Sequence, residues 1–142
     1  MTICHLQQRD IFLTARTCVG SPFRHQGRSL ALGLDCVGLI VFTLNALGAK
    51  IFDFRDYKKI PVKNAISRHA HRAGFILKAK SDMTAGDLVI MRFGRYMEHA
   101  AIVSDRGIIH ACEKYGKVVE HGLDMEWQSK IISVYKFPNI IK

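Results

Sequence analysis

The sequence predicts an α+β fold in which N-terminal helices pack on an antiparallel β-sheet. Three observations carry that prediction. Apolar residues early in the chain recur at three- and four-residue steps, the spacing of an amphipathic helix. Beyond residue 74 the period changes to two, in short apolar and β-branched runs separated by turn residues. A chain of 142 residues has room for about one hydrophobic core, so helices and strands must share it.

Taken in order, residues 5–19 put Leu6, Ile11, Phe12, Ala15, Cys18 and Val19 on one helical stripe, which Gly20, Ser21 and Pro22 end. Residues 22–34 hold Gly27, Gly33 and the polar cluster Arg24 to Ser29 with no sustained period, and read as a long loop of the kind that often carries function. Residues 35–48 follow, with Asp35 as a good N-cap, Gly48 as a good stop, and apolar side chains nearly all round between them. A helix of that composition belongs inside the protein. Val37, Ile40, Val41 and Phe42 also suit a buried strand, but the length and the two caps favour helix.

Residues 50–80 carry nine basic residues (Lys50, Arg55, Lys58, Lys59, Lys63, Arg68, Arg72, Lys78 and Lys80) against Asp53 and Asp56, in a chain of net charge +9. Most of the excess charge therefore lies in one segment, read as an irregular connection with a short helix over 64–73 closed by Gly74. It is either a solvated face or a surface for an anionic partner such as nucleic acid, a membrane surface or a carboxylate-rich polymer. Phe52, Phe54 and Tyr57 interleave with the charge, as single-stranded nucleic-acid binding requires. Strands are expected over residues 75–77, 87–93, 99–104, 107–112, 117–120 and 131–137.

Composition excludes several classes. Apolar residues at 49% and charged residues at 23% describe neither a disordered nor a fibrous chain. The longest apolar run, Val37 to Leu44, is far short of the roughly 20 residues that cross a bilayer. Residues 1–10 have no basic n-region followed by an apolar stretch, so the expectation is synthesis in the cytoplasm without a signal peptide. Cys4, Cys18, Cys36 and Cys112 form no C-x-x-C pair, which argues against a structural metal and leaves no cofactor indicated. Cys4, Cys18 and Cys112 read as small packing residues.

Cys36 is different because it stands at the first position of the helix that Asp35 caps. Unpaired N–H groups and the positive end of the helix dipole favour a thiolate there, and a nearby histidine can lower a thiol pKa into the range of roughly 3.5 to 7.5. His99 and His110 lie in two strand-like runs joined by Ser104-Asp-Arg-Gly107. A two-residue loop at Asp105-Arg106 puts Ala101 opposite His110 and His99 on its diagonal, within imidazole reach. One histidine can then take the cysteine proton while the other orients it. His5 and His121 read as surface residues. His69 and His71, two apart on a helix, face different ways. Glu98 faces away from its neighbour His99 and stays outside the site.

Gly20-Ser-Pro-Phe-Arg-His-Gln-Gly27, Asp35-Cys-Val-Gly-Leu39, Gly86-Asp-Leu-Val-Ile90, His99-Ala-Ala-Ile-Val103 and Ile109-His-Ala111 resemble, in this order, the NlpC family of papain-like cell-wall cysteine peptidases. The Arg-His-Gln-Gly loop is most similar to the stand-alone versions carried by phage tails and gene-transfer agents. The resemblance implies a single NlpC-type domain over residues 1–142, with a buried nucleophile helix on an antiparallel sheet. It also implies hydrolysis of amide bonds in peptidoglycan stem peptides, commonly D-γ-glutamyl to diaminopimelate, without a metal. Carried over by position, Cys36 is the nucleophile, His99 the general base and then acid, and His110 the residue that orients His99. Phe23 stands where a tyrosine is frequent, and Val37 where a serine is common.

Arg24, His25 and Arg28, in the loop before the nucleophile, are candidate binders of a stem-peptide carboxylate. The expected partners are stem peptides and phage-like tail or particle proteins that deliver the chain to the wall, with no membrane insertion; nucleic acid bound by residues 50–80 is disfavoured but stays a competing reading. The competing readings are a noncatalytic tail-assembly module and a related Cys-His acyltransferase. The intact triad speaks against the first, and the loop from Arg24 to Arg28 against the second.

Overall fold

The computed structural model describes residues 3–4, 7–49, 53, 65–95, 97–138 and 140–141. The helices are α1 (Gln8–Arg16), α2 (Cys36–Ala46), α3 (Ala65–Arg72) and the short α4 (Met125–Gln128). The strands are β1 (Ile3–Cys4), β2 (Arg28–Ser29), β3 (Gly33–Leu34), β4 (Ile76–Lys78), β5 (Leu88–Phe93), β6 (Met97–Ser104), β7 (Gly107–Cys112), β8 (Lys117–His121), β9 (Ile131–Lys136) and β10 (Ile140–Ile141).

Six of these strands form one antiparallel sheet in the order β4-β9-β5-β6-β7-β8. Alternating side chains divide it into two apolar faces, as the period of two requires. Leu88, Ile90, Ala100, Ile102, Ile109, Ala111 and Val118 join Ile11, Phe12, Ala15, Leu39, Ile40 and Leu44 of α1 and α2 in the larger core. Val89, Met91, Ala101, Val103, Ile108 and Val134 point the other way, where Met83, Phe93, Leu123 and Trp127 cover them. The mixed helix and antiparallel-sheet class is as the sequence predicts.

The helix over Cys36–Ala46 forms where its caps put it. The Asp35 carboxylate accepts a 2.8 Å hydrogen bond from the Gly38 N–H, and Gly48 leaves the helix at a φ of 81°. Val37, Leu39, Ile40, Val41 and Leu44 are all buried, which settles the helix-or-strand ambiguity of that run. The turn between β6 and β7 has two residues, since Ser104 pairs with Gly107. Gly107 is required there twice over: its φ is 140°, and a methyl group on it would collide with the His121 carbonyl oxygen at the end of β8.

Three features escaped the sequence reading. The loop of residues 22–34 contains the small β2-β3 hairpin, β1 pairs with β10, and α4 precedes β9. Each is too short to show a period. Residues 50–52 and 54–64 of the basic segment lie outside the described residues, including Lys58, Lys59, Phe52, Phe54 and Tyr57; so does His5. Among the described residues, no helix is long and apolar enough to cross a membrane.

A buried carboxylate joins the parts. Asp87, at the start of β5, has no exposed surface, and it accepts from the Lys78 ammonium at 2.6 Å, the Thr84 N–H at 2.8 Å and the Gln8 amide at 2.9 Å. It thereby ties α1 and β4 to β5.

Packing around the start of α2 is close enough to demand glycine. A methyl group on Gly38 would collide with the Gly27 carbonyl oxygen, and one on Gly27 with the Gly33 carbonyl oxygen. Neither obstacle is a movable side-chain tip. Gly38→Ala is expected to destabilise the protein by about 1–3 kcal/mol, the usual range for overpacking. A lowered urea midpoint at unchanged m-value would show this, and an unchanged midpoint would contradict it.

Candidate active site

The site is assembled from the start of α2 and one end of the β6-β7-β8 sheet. Asp35 holds the first part. Besides capping Gly38, its buried carboxylate accepts from the Gln26 N–H at 2.7 Å and from the Arg28 guanidinium at 3.2 Å. Gln26 adopts a left-handed φ of 58°, which turns its N–H inward to that carboxylate. Cys36 follows as the first residue of the helix and is partly exposed.

Of the three loop candidates, Arg28 is committed elsewhere. Its guanidinium meets Asp35, the Gly27 carbonyl oxygen and both oxygens of Asp53 at 3.0–3.2 Å, and the side chain is only 11% exposed. That arrangement braces the loop and the N-cap; it does not offer a charge to solvent. Arg24 is exposed and His25 partly exposed. Asp53 itself was not singled out in the sequence, because it lies in a segment without pattern.

His99 and His110 come together as the hairpin register requires, with His99 Nε2 and His110 Nδ1 2.8 Å apart. Two observations bring Cys36 to the same place. Cys36 packs against the core that includes Ala100, the neighbour of His99, and the charge of Asp35, next to Cys36, acts on His99 by raising its pKa.

His121 corrects the sequence reading. It is not a solvated surface residue: its Nε2 lies 2.8 Å from His110 Nε2, and its Nδ1 lies 2.9 Å from the Gly122 carbonyl oxygen. Trp127 packs against both rings, with centroids 4.6 Å from His121 and 5.3 Å from His110. Phe93 extends the aromatic wall to His99 and to Trp127. Two diagonal steps across neighbouring strands could have signalled His121, since His110 pairs with Val119 on β8, two residues away. Trp127 gave no signal, being on a four-residue helix.

The other polar residues have structural roles. Glu98 indeed serves elsewhere, accepting from the N–H groups of Ile66 and Ser67 at the start of α3, where a carboxylate offsets the helix dipole. The His71 ring meets the Tyr135 hydroxyl at 3.2 Å. Among the described residues, no group of three or more His, Cys, Asp or Glu side chains converges as a metal cage.

Burial dominates the electrostatics. It pushes the Cys36 thiol up to about 12, with the Asp35 charge adding to the effect and main-chain hydrogen bonds opposing it. This corrects the expectation of a depressed thiol pKa: the helix dipole is outweighed by desolvation and by the carboxylate beside it. Burial likewise lowers His99 to about 4, against a smaller upward pull from Asp35. His110 is lowered to about 3 by burial, then by His99 and His121. The resting site thus holds a neutral Cys36 thiol and neutral His99 and His110 imidazoles.

The family assignment rests on residues 20–136, which match the model of the NlpC/P60 family. The chain belongs to the NlpC/P60 family, whose members are generally cysteine peptidases or amidases. Solved structures share its fold. The NlpC/p60 domain of the peptidoglycan hydrolase SagA superposes with a TM-score of 0.66 at 21% identity, covering 93% of this chain and 100% of that one. An NlpC/P60 family protein from Bacillus cereus ATCC 10987 gives 0.71 at 20% identity, over 93% of this chain and 40% of that one. The P60 domain of an antigen from M. avium subspecies paratuberculosis gives 0.65 at 18% identity, over 92% and 93%. The chain therefore spans whole P60 domains but about two fifths of the longer Bacillus protein. A search of the curated proteins gave no match.

The depressed imidazoles make stability depend on pH. An unfolded histidine takes up a proton near pH 6.5, whereas His99 and His110 stay neutral in the folded protein down to about 4 and 3. The unfolded chain binds more protons as pH falls through 6.5, so stability is lost in that direction. The urea midpoint is expected to fall from pH 7 to pH 5, and less steeply in His110→Gln; equal slopes for the two proteins would contradict the assignment.

Proposed function

We propose that this chain is a cysteine peptidase of the cell wall, hydrolysing amide bonds of peptidoglycan stem peptides through a thioester acyl-enzyme. The favoured bond joins D-γ-glutamate to diaminopimelate. The observation that supports the reading best is the 2.8 Å contact between His99 Nε2 and His110 Nδ1, beside a helix-start cysteine packed against the core that includes Ala100.

In this reading His99 takes the Cys36 proton as the sulfur attacks the carbonyl carbon. Main-chain N–H groups at the start of α2 stabilise the oxyanion. The tetrahedral intermediate collapses, the C–N bond breaks, and His99 returns the proton to the leaving amine. Water, deprotonated by His99, then attacks the thioester and releases the carboxylate and the thiol. His110 keeps the His99 ring in place throughout. The low basicity of His99 suits a proton held only briefly, while the adjacent thiolate stabilises the imidazolium.

Arg24 and His25 remain candidates for contacting a stem-peptide carboxylate, while Arg28 serves through Asp35. The whole chain acts as one NlpC-type domain, brought to the wall by a phage-like particle. Family membership and the fold resemblance to SagA support a wall substrate; the bond and the delivery route are parts of the proposal.

Mass spectrometry of muropeptides after digestion of purified peptidoglycan tests the reading and identifies the bond. Wild type is expected to release stem-peptide fragments with a new free amine, and Cys36→Ala to release them about a thousandfold more slowly or not at all, with an unchanged circular dichroism spectrum. Equal release by the two proteins would remove the peptidase reading.

A further inference from the structure

The chain of ring contacts ends on a group whose hydrogen-bonding role is fixed. The Gly122 carbonyl oxygen can only accept, so at its 2.9 Å contact His121 Nδ1 carries the hydrogen and donates. A neutral His121 then has a bare Nε2. That nitrogen lies 2.8 Å from His110 Nε2, which must therefore be the donor. His110 in turn has a bare Nδ1, and at 2.8 Å His99 Nε2 donates to it. With its hydrogen on Nε2, neutral His99 keeps a lone pair on Nδ1, the form a base needs. Each step follows from the one before, because a neutral imidazole has one donor and one acceptor.

We propose that His121 is a positioning residue for the Cys36-His99 pair: through His110 it sets which nitrogen of His99 is bare, with the Gly122 carbonyl oxygen as the reference. The proposal rests on the reading of Cys36 as nucleophile and His99 as base. His110 alone is not enough for this task, since an isolated imidazole partner can exchange donor and acceptor nitrogens, and the His99 ring would then be free to adopt either tautomer. Trp127, packed against both His110 and His121, restricts their rotation. The line of contacts also fits a relay better than a metal cage, because both His110 nitrogens are occupied by neighbouring rings.

Long-range proton–nitrogen spectra of the 15N-labelled protein at pH 7 read the tautomers directly. Wild type is expected to show hydrogen on Nε2 of His99 and His110 and on Nδ1 of His121. Hydrogen on Nδ1 of His99 would overturn the proposal. His121→Phe removes the acceptor and is expected to mix the His99 tautomers and lower kcat about tenfold or more, a part of the ~10²–10⁴-fold that general-base catalysis contributes, with KM on a synthetic stem peptide little changed. His121→Gln supplies a carbonyl acceptor in place of Nε2 and is expected to restore the single tautomer and most of kcat.

Equal loss in the two variants, with the His99 tautomer unaltered, would mean that His121 only packs. If His121→Phe fails to fold, the wild-type and His121→Gln spectra still decide the matter. Failure of the wild type to cleave peptidoglycan would sink the peptidase reading, whereas the spectra judge the tautomer relay independently.

Discussion

The buried carboxylate of Asp35 is the interaction on which the site depends. One oxygen caps α2 at Gly38 and meets Arg28, while the other holds the Gln26 N–H. Helix, loop and the bracing guanidinium therefore share a single anchor, and the residue that follows it is Cys36. A buried charge of this kind needs several partners to offset its desolvation. Asp35 has them, and the same charge that organises the loop opposes a resting thiolate at the next residue. Positional order is thus obtained together with a protonated thiol, and in the proposed mechanism its activation falls to His99.

The sheet supplies the other half. Antiparallel pairing with a two-residue turn brings His99 beside His110, and the next hairpin brings His121 beside His110. Desolvation then keeps the His99 and His110 rings neutral, and neutrality gives each one a defined donor and acceptor. Phe93 and Trp127 contribute to that environment through their contacts with the imidazoles. A wetter row of histidines would titrate near neutral pH and lose the fixed order of hydrogen bonds.

Much of this was legible in the sequence where the cause is local. An aspartate before an apolar helix marks its own cap, and Ser104-Asp-Arg-Gly107 specifies the turn that fixes the His99 and His110 register. Where the cause is tertiary, the sequence was silent or misleading. His121 sits among polar neighbours at the end of β8 and looks solvated until Trp127 and His110 surround it. Arg28 looks like a free cation until Asp35 and Asp53 claim it. The thiol pKa was misjudged because helix position can be read from residue order, while desolvation depends on what folds over the sulfur. Two-residue strands such as β2 and β3 cannot display a period at all.

The two turns flanking β7 are constrained in length as well as in chemistry. Asp105 and Arg106 lie in the first, and residues 113–116 fill the second, between the Cys112-Lys117 pair. Both hold an even number of residues, so successive strands keep their alternation in phase. One inserted residue in either would turn the following imidazole to the opposite side of the sheet. A single-codon insertion or deletion at either bend would break the row of imidazole contacts without touching any of the residues that compose it.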